Sequence, residues 1–412
     1  MKIRKIKVTN FKSFKDIEVE LQDFNILIGS NASGKSNFVS IFKFLKDIAS
    51  LGLENAVSIQ GGVEYLRNMK IASSQDMVIK IGIFSEKEIS FHMDSVEFKT
   101  NELEYELKLS FYKKRPGFKV KEEGFKQECK FFSLKNRRRG PKKNELIGEG
   151  EIKVIRKNGK LSYFFNIPKE VPLRKEDIFP PFWIEKELTG YNLLLDSLFL
   201  YIVPIKDFLE EISIYDFDPK FPKKASPITG KAELEEDGGN LSIILKNIIE
   251  NKEKRRKLLN FVKDLLPFVE NLNVEKFADK SLLFKLKESY FKNQYLPATL
   301  ISDGTINITA LIIALYFEGK PLAIIEEPER NIHPYLMSKV VDMMKDSSKQ
   351  KQIIVTTHNP EIVRFAALDS LLLVSRDEEG FSKISRPSEK EEVRSFLKNE
   401  IGIEELYVQN LL

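Results

Sequence analysis

The alternation of apolar and polar positions opens the chain with two short strands. Ile3, Ile6 and Val8, then Ile17, Val19 and Leu21, flank the turn Asn10-Phe11-Lys12-Ser13-Phe14. Phe24 to Ile28 is a short apolar run ending at Gly29, the form of a buried strand. After Lys35 the apolar residues fall at Phe38, Ile41, Phe42, Leu45 and Ile48, the spacing of a helix with one buried face. From about Met77 to Phe165 the period shortens to two: Leu103, Tyr105, Leu107, Leu109 and Phe111 alternate with Glu102, Glu104, Glu106, Lys108 and Ser110. Asn158-Gly159 reads as a hairpin turn within this stretch. Arg174 to about Asn293 reads as mostly helical, with Asp237-Gly238-Gly239-Asn240 as turn and cap before an apolar helix starting at Leu241. Strand and helix then alternate again, with Leu322 to Ile325 and Ile353 to Thr357 as short buried strands. Sustained heptads are absent, which excludes a long coiled-coil arm.

These patterns predict an α/β protein of mixed sheets with flanking helices, carrying a β-rich and helical insertion. The expected segments are 1–76 and 296–412 as the two parts of one α/β core, 77–173 as a β-rich lobe and 174–295 as a mainly helical one.

Composition narrows the setting. The chain has 412 residues, 42% of them hydrophobic, enough for two to three domains. A net charge of +5, from 66 basic and 61 acidic residues, permits nucleic-acid binding without demanding it. Two basic runs, Arg137 to Lys143 and Lys252 to Lys257, are candidates, although short charge runs are usually solvated faces. Cys129 is the one cysteine, so no intramolecular disulfide forms and a reduced, cytoplasmic setting is expected. The longest apolar stretch, Ile308 to Phe317, is too short for a bilayer, which takes about 20 residues, so no membrane association is expected.

The candidate chemistry lies at the two ends of the chain. Gly29-Ser30-Asn31-Ala32-Ser33-Gly34-Lys35-Ser36 matches G-x-x-x-x-G-K-[ST] in full, between a strand and a helix. Its glycines let backbone N–H groups close around phosphates, Lys35 meets the β- and γ-phosphates, and the Ser36 hydroxyl suits Mg²⁺. Leu322 to Glu327 has the form of a Walker B strand: Glu326 is the metal-side carboxylate, and Glu327 is placed to orient or deprotonate a water. Glu326 stands where most such sites have Asp. Ser302-Asp303-Gly304-Thr305 opens an apolar helix, either as an ordinary N-cap or as donors to a γ-phosphate. His358, at the end of a β-rich run, is a candidate to sense that phosphate.

Together with Lys7 to Phe14, Leu234 to Leu241, Ile325 to Pro334 and Thr356 to Pro360, these motifs resemble the stand-alone SMC/RecF-like "AAA family ATPases" of bacteria and archaea. The resemblance implies an ABC-type P-loop head that binds ATP and Mg²⁺ and forms a homodimer around two nucleotides. It implies ATP contacts from Lys12, Ser13, Gly29 to Ser36 and Asn37, and signature contacts in trans from Ser302, Asp303, Gly304 and Thr305. Glu327 would be the catalytic carboxylate, His358 the switch histidine, and Asn331 to Pro334 the D-loop region. The chain departs from the family where Arg330-Asn331 replaces Asn-Gly and Ile306-Asn307 replaces Leu-Arg. The resemblance also implies a coupling glutamine, for which Gln60 and Gln75 are the candidates. The role implied is a switch or clamp acting with DNA and a separate nuclease or effector, in genome maintenance or phage defence. The alternatives are a regulatory ATP-binding protein with little turnover and a transporter ATPase subunit.

Overall fold

The structure, a computed structural model, describes residues 1–93, 95–134, 144–179, 187–196, 203–277, 280–291, 294–393, 402–409 and 411. The basic run Arg137 to Lys143 lies outside them. In chain order the main elements are β1 (Lys2–Phe11), β2 (Phe14–Glu20), β3 (Phe24–Ile28) and α1 (Lys35–Leu51). Next come β4 (Met77–Met93), β5 (Val96–Phe111), β6 (Phe118–Leu134), β7 (Asn144–Lys157), β8 (Lys160–Asn166) and β9 (Ile212–Tyr215). They are followed by α2 (Leu241–Glu250), α3 (Lys252–Leu265), the hairpin β10 (Val269–Phe277) and β11 (Ser281–Glu288), then α4 (Asp303–Tyr316) and β12 (Leu322–Glu326). The last are α5 (Met337–Ser347), β13 (Gln352–Thr357), α6 (Pro360–Phe365), β14 (Leu371–Arg376) and β15 (Ser382–Ser385). Among the described residues no helix is long and apolar enough to cross a membrane.

Contacts divide the chain into two units, neither continuous in sequence. The first comprises residues 1–21, 36–211 and 375–384. Its strands run in the order β8-β7-β6-β5-β4-β1-β2-β15, antiparallel except for the β2–β15 pair. The period-two alternation of the sequence is visible in β4, where buried and half-buried residues alternate from Met77 to Ser85. Helix α1 packs its aromatic stripe on this sheet: Phe44 meets Phe11 at 6.0 Å and Phe38 meets Phe14 at 6.5 Å between ring centroids. Asn158 and Gly159, with φ of 50° and 90°, make the expected tight turn between β7 and β8.

A buried bracket pins the segment 187–196 onto β5, β6 and β7. Glu123, fully buried on β6, accepts hydrogen bonds from Tyr105 Oη at 2.9 Å and from the backbone N–H of Leu194 at 2.7 Å. Arg156 on β7 donates to three carbonyls of the same segment, those of Leu188, Gly190 and Asn192. Burial raises the Glu123 carboxyl to about 7, although the Leu194 N–H, Tyr105 and Arg156 all oppose that rise.

The second unit comprises residues 22–35, 212–374 and 385–412. Its main sheet, in the order β14-β3-β13-β12-β9, is parallel throughout. All five residues of β3 and all six of β13 are buried, as interior strands of a parallel sheet should be. Helices α2, α3, α4 and α5 contribute to one apolar core with these strands. The stretch read as mostly helical also contains the antiparallel hairpin β10–β11, whose Leu272, Phe284 and Leu286 join the same core.

One local expectation changes, and one basic run gains neighbours. Asn240 precedes α2 but does not cap it: its side chain accepts from Glu235 N and donates to the carbonyls of Lys231 and Glu233, closing the 234–241 loop on itself. In the basic run on α3, the Lys257 ammonium lies over the rings of Phe261, Tyr316 and Phe317, and Arg255 donates to Asn271. Those two charges are spent in part on packing within the unit.

Candidate active site

The phosphate loop follows β3 directly, with Ser30, Asn31 and Ala32 exposed at its crest and Ser33 and Gly34 buried beneath. Gly29 is required sterically: a Cβ there would stand 2.3 Å from the Val374 carbonyl oxygen and 2.8 Å from Ser33 Oγ. Ala32 (φ 62°) and Gly34 (φ 122°) occupy positive φ, which bends the loop tightly. The Lys35 ammonium folds back over the loop, donating to the carbonyls of Gly29 at 2.7 Å and Ser30 at 3.1 Å. Burial lowers its proton affinity, against the opposing charges of Glu327, Glu329 and Glu326.

Glu326 ends β12, and Glu327 and Glu329 belong to the turn that follows it. Register pairs Glu326 with Thr356 on β13, so β12 ends beside the strand that leads to His358. Glu327 has φ of 44°, a left-handed conformation that is costly for a side chain of this kind. Its N–H is held by the Thr356 carbonyl at 2.9 Å. Its Oε1 lies 2.9 Å from His358 Nδ1, and its Oε2 accepts from the Arg330 guanidinium at 3.1 Å. Burial would raise the Glu327 carboxyl, but Arg330 and His358 outweigh burial and hold it below the ordinary carboxylate value. Glu329 points inward instead. Its Oε1 accepts from Thr357 Oγ1 at 2.5 Å, its Oε2 is buried with no hydrogen-bond partner among the described residues, and burial raises its carboxyl.

Ser302 caps α4, its Oγ accepting from Thr305 N at 3.2 Å and meeting Thr305 Oγ1 at 2.8 Å. Asp303 forms an ion pair with Lys223. The ordinary-cap reading of Ser302 therefore describes its contacts within one chain. Gly304 has a separate reason to be glycine: a Cβ there would fall 2.4 Å from the Asn331 carbonyl oxygen. The start of α4 and the segment after β12 are thus in direct contact. Asn331, with φ of 63°, takes the left-handed conformation that asparagine tolerates in place of glycine.

Lys12 and Ser13 belong to the first unit. Lys12 is half-buried at φ of 45°, and burial followed by the charge of Lys43 lowers its proton affinity. Ser13 accepts from Asn37 Nδ2 at 2.8 Å and meets Ser382 Oγ at 2.8 Å. Lys12, Ser13 and Asn37 line a cavity of about 530 Å³ together with Gln60, Arg67 and Arg376. Of the two candidate glutamines, Gln60 is buried at this cavity and Gln75 is exposed.

The Arg330–Asp216 pair was missed from sequence. Arg330 NH1 donates to Asp216 Oδ1 at 2.8 Å across a separation of 114 residues, and the only sequence signal was that Arg330 departs from the family pattern.

The chain is similar in part to known proteins. An uncharacterized protein of Methanocaldococcus jannaschii, MJECL43, is 24% identical over 148 residues, which is 32% of this chain and 38% of that one. The Septu protein PtuA of Bacillus thuringiensis is 35% identical over 63 residues, 15% of either chain. The matched region thus spans well under half the length of these relatives. An SMC head solved with the C-winged helix domain of ScpA shares 18% identity at a TM-score of 0.47, covering 93% of this chain and 98% of its own. The family described as "AAA domain, putative AbiEii toxin, Type IV TA system" matches residues 24–364, from the strand that feeds the phosphate loop to the helix after His358, and the chain belongs to that family.

Proposed function

We propose that the protein is an ABC-type ATPase that hydrolyses ATP with Mg²⁺ at a nucleotide-sandwiched homodimer interface. The observation that carries this reading is the convergence in one unit of the phosphate loop from Gly29 to Lys35, the Lys35 ammonium and the carboxylates at and just past the end of β12. The donor set fits the cofactor: the Ser36 hydroxyl and the Glu326 carboxylate are hard oxygen ligands of the kind Mg²⁺ takes. When bound, Mg²⁺ neutralises charge on the β- and γ-phosphates.

The chain's own residues do the rest. Lys35 exchanges its two carbonyl partners for phosphate oxygens. Glu327 orients a water and accepts its proton as the water oxygen bonds the γ-phosphorus and the bond to the ADP oxygen breaks. His358 moves from Glu327 toward the γ-phosphate. Ser302 and Gly304 serve the nucleotide of a second copy, in which role the Ser302 hydroxyl adds a phosphate contact to its cap. Lys12, Ser13 and Asn37 keep the nucleotide-contact roles that the resemblance implies, and Gln60, buried among them in the first unit, is taken as the coupling glutamine. The biological reading is a cytoplasmic switch or clamp that works with DNA and a separate nuclease or effector, in genome maintenance or phage defence.

The test is ATP binding and hydrolysis by the whole chain. Lys35→Ala is expected to lose ATP binding, and Glu327→Gln to keep binding while accumulating an ATP-bound dimer visible by light scattering. Hydrolysis by Glu327→Gln at the wild-type rate removes Glu327 from its role. A second reading, an ATP-binding regulator with little turnover, is favoured by one observation: both Glu327 oxygens are already occupied within the single chain. Tight ATP binding without turnover, in the presence or absence of DNA, decides for it.

A further inference from the structure

The two oxygens of Glu327 are held in different ways. Oε2 is tied to a backed-up group. The Arg330 guanidinium that binds it is also fixed on Asp216 Oδ1 at 2.8 Å and on the Phe217 carbonyl at 3.4 Å. Asp216 is secured in turn, its N–H donating to the Glu236 carbonyl at 2.9 Å, and Asp218 N–H reaches the Asp237 carbonyl at 3.3 Å. Both carbonyls belong to the 234–241 loop that Asn240 closes. The Arg330 backbone is held as well, because Asn307 Nδ2 donates to its carbonyl at 2.8 Å. The two places where the chain departs from the family pattern, Asn307 and Arg330, therefore touch.

Oε1, by contrast, meets only the His358 imidazole, which is half exposed and makes no other hydrogen bond among the described residues. Of the two partners, His358 is the one free to leave.

We infer that Arg330, backed by Asp216 and the 234–241 loop, is a positioning residue that fixes Glu327 Oε2 and leaves Oε1 to receive the proton of the attacking water. This rests on the role proposed above for Glu327. A planar guanidinium bridges Glu327 and Asp216 through separate N–H groups, a geometry that a lysine ammonium reproduces only in part. The side chains of Arg330, Glu327 and Asp216 are 38%, 30% and 46% exposed, so the bridge adds little to stability. Its loss should register in catalysis rather than in folding.

The experiment is steady-state ATP hydrolysis with Mg²⁺ by the full chain, comparing wild type with Arg330→Ala, Arg330→Lys, Asp216→Asn and Glu327→Gln. Arg330→Ala is expected to lower kcat about 10- to 100-fold, the scale of a misplaced reacting group, with KM for ATP unchanged. Arg330→Lys should recover part of the loss, and Asp216→Asn should lose less than Arg330→Ala. Wild-type or faster kcat in Arg330→Ala, or a loss confined to KM, overturns the inference. If Glu327→Gln is impaired and Arg330→Ala is not, the inference alone fails. If Glu327→Gln turns over like wild type, the reading of the site fails and takes the inference with it.

Discussion

Glu123 sits in the middle of β6 in the first unit, fully buried, while Glu327 sits just past the end of β12 in the second, 30% exposed. The partners of Glu123 are mostly neutral: a tyrosine hydroxyl and backbone N–H groups, with Arg156 turned toward the carbonyls of 187–196. The partners of Glu327 are a guanidinium and an imidazole bonded directly to its oxygens. Burial is the largest influence on both, yet it wins at Glu123 and loses at Glu327. Charged hydrogen-bond partners, rather than the depth of the carboxylate, decide which one stays ionised.

The comparison can be broken at either end. The largest expected effect is at Glu327, where glutamine in place of the carboxylate should cost at least about 100-fold in ATP turnover and leave the thermal midpoint within a degree or so. Loss of folded protein instead would make Glu327 structural, like Glu123. The next effect is pH-dependent stability. Glu123 has a raised pKa when folded, so its contribution is complete below the ordinary carboxylate pKa and is lost as pH rises through about 7. The thermal midpoint should therefore fall between about pH 5 and pH 8, by an amount worth up to about 3 kcal/mol. Glu123→Gln, which keeps an oxygen for the Leu194 N–H, should flatten that fall. The smallest effect is that of Tyr105→Phe, which removes one buried hydrogen bond at a cost of about 1–2 kcal/mol, read from denaturant unfolding. An unchanged midpoint there would mean that the Tyr105 hydroxyl contributes nothing to the bracket.

Much of this arrangement was legible in the chain. The antiparallel lobe announced itself because each strand has one buried and one open face, which writes a period of two into the sequence. The phosphate loop, the β12 strand and the β13 run were legible because glycine spacing and short apolar runs are local signals. The β10–β11 hairpin was harder to see: Leu282, Leu283 and Phe284 are consecutive apolar residues, all buried, and they blur the alternation that Leu286 would continue. The Arg330–Asp216 bridge left no local trace, because its ends are 114 residues apart and an isolated charge carries no period. Asn240 misled in another way. It stands where a helix cap stands, but its amide serves the loop behind it.

The close approach of Gly304 to the Asn331 carbonyl has a consequence for how this chain can change over evolutionary time. At 2.4 Å there is no room for even a methyl group, so a larger residue at 304 displaces residue 331, and a shift at 331 is felt at 304. The two segments are inherited as one character. A lineage cannot retune the helix start by itself; substitutions on one side must be matched on the other, and related sequences should show positions 304–307 and 330–331 drifting together.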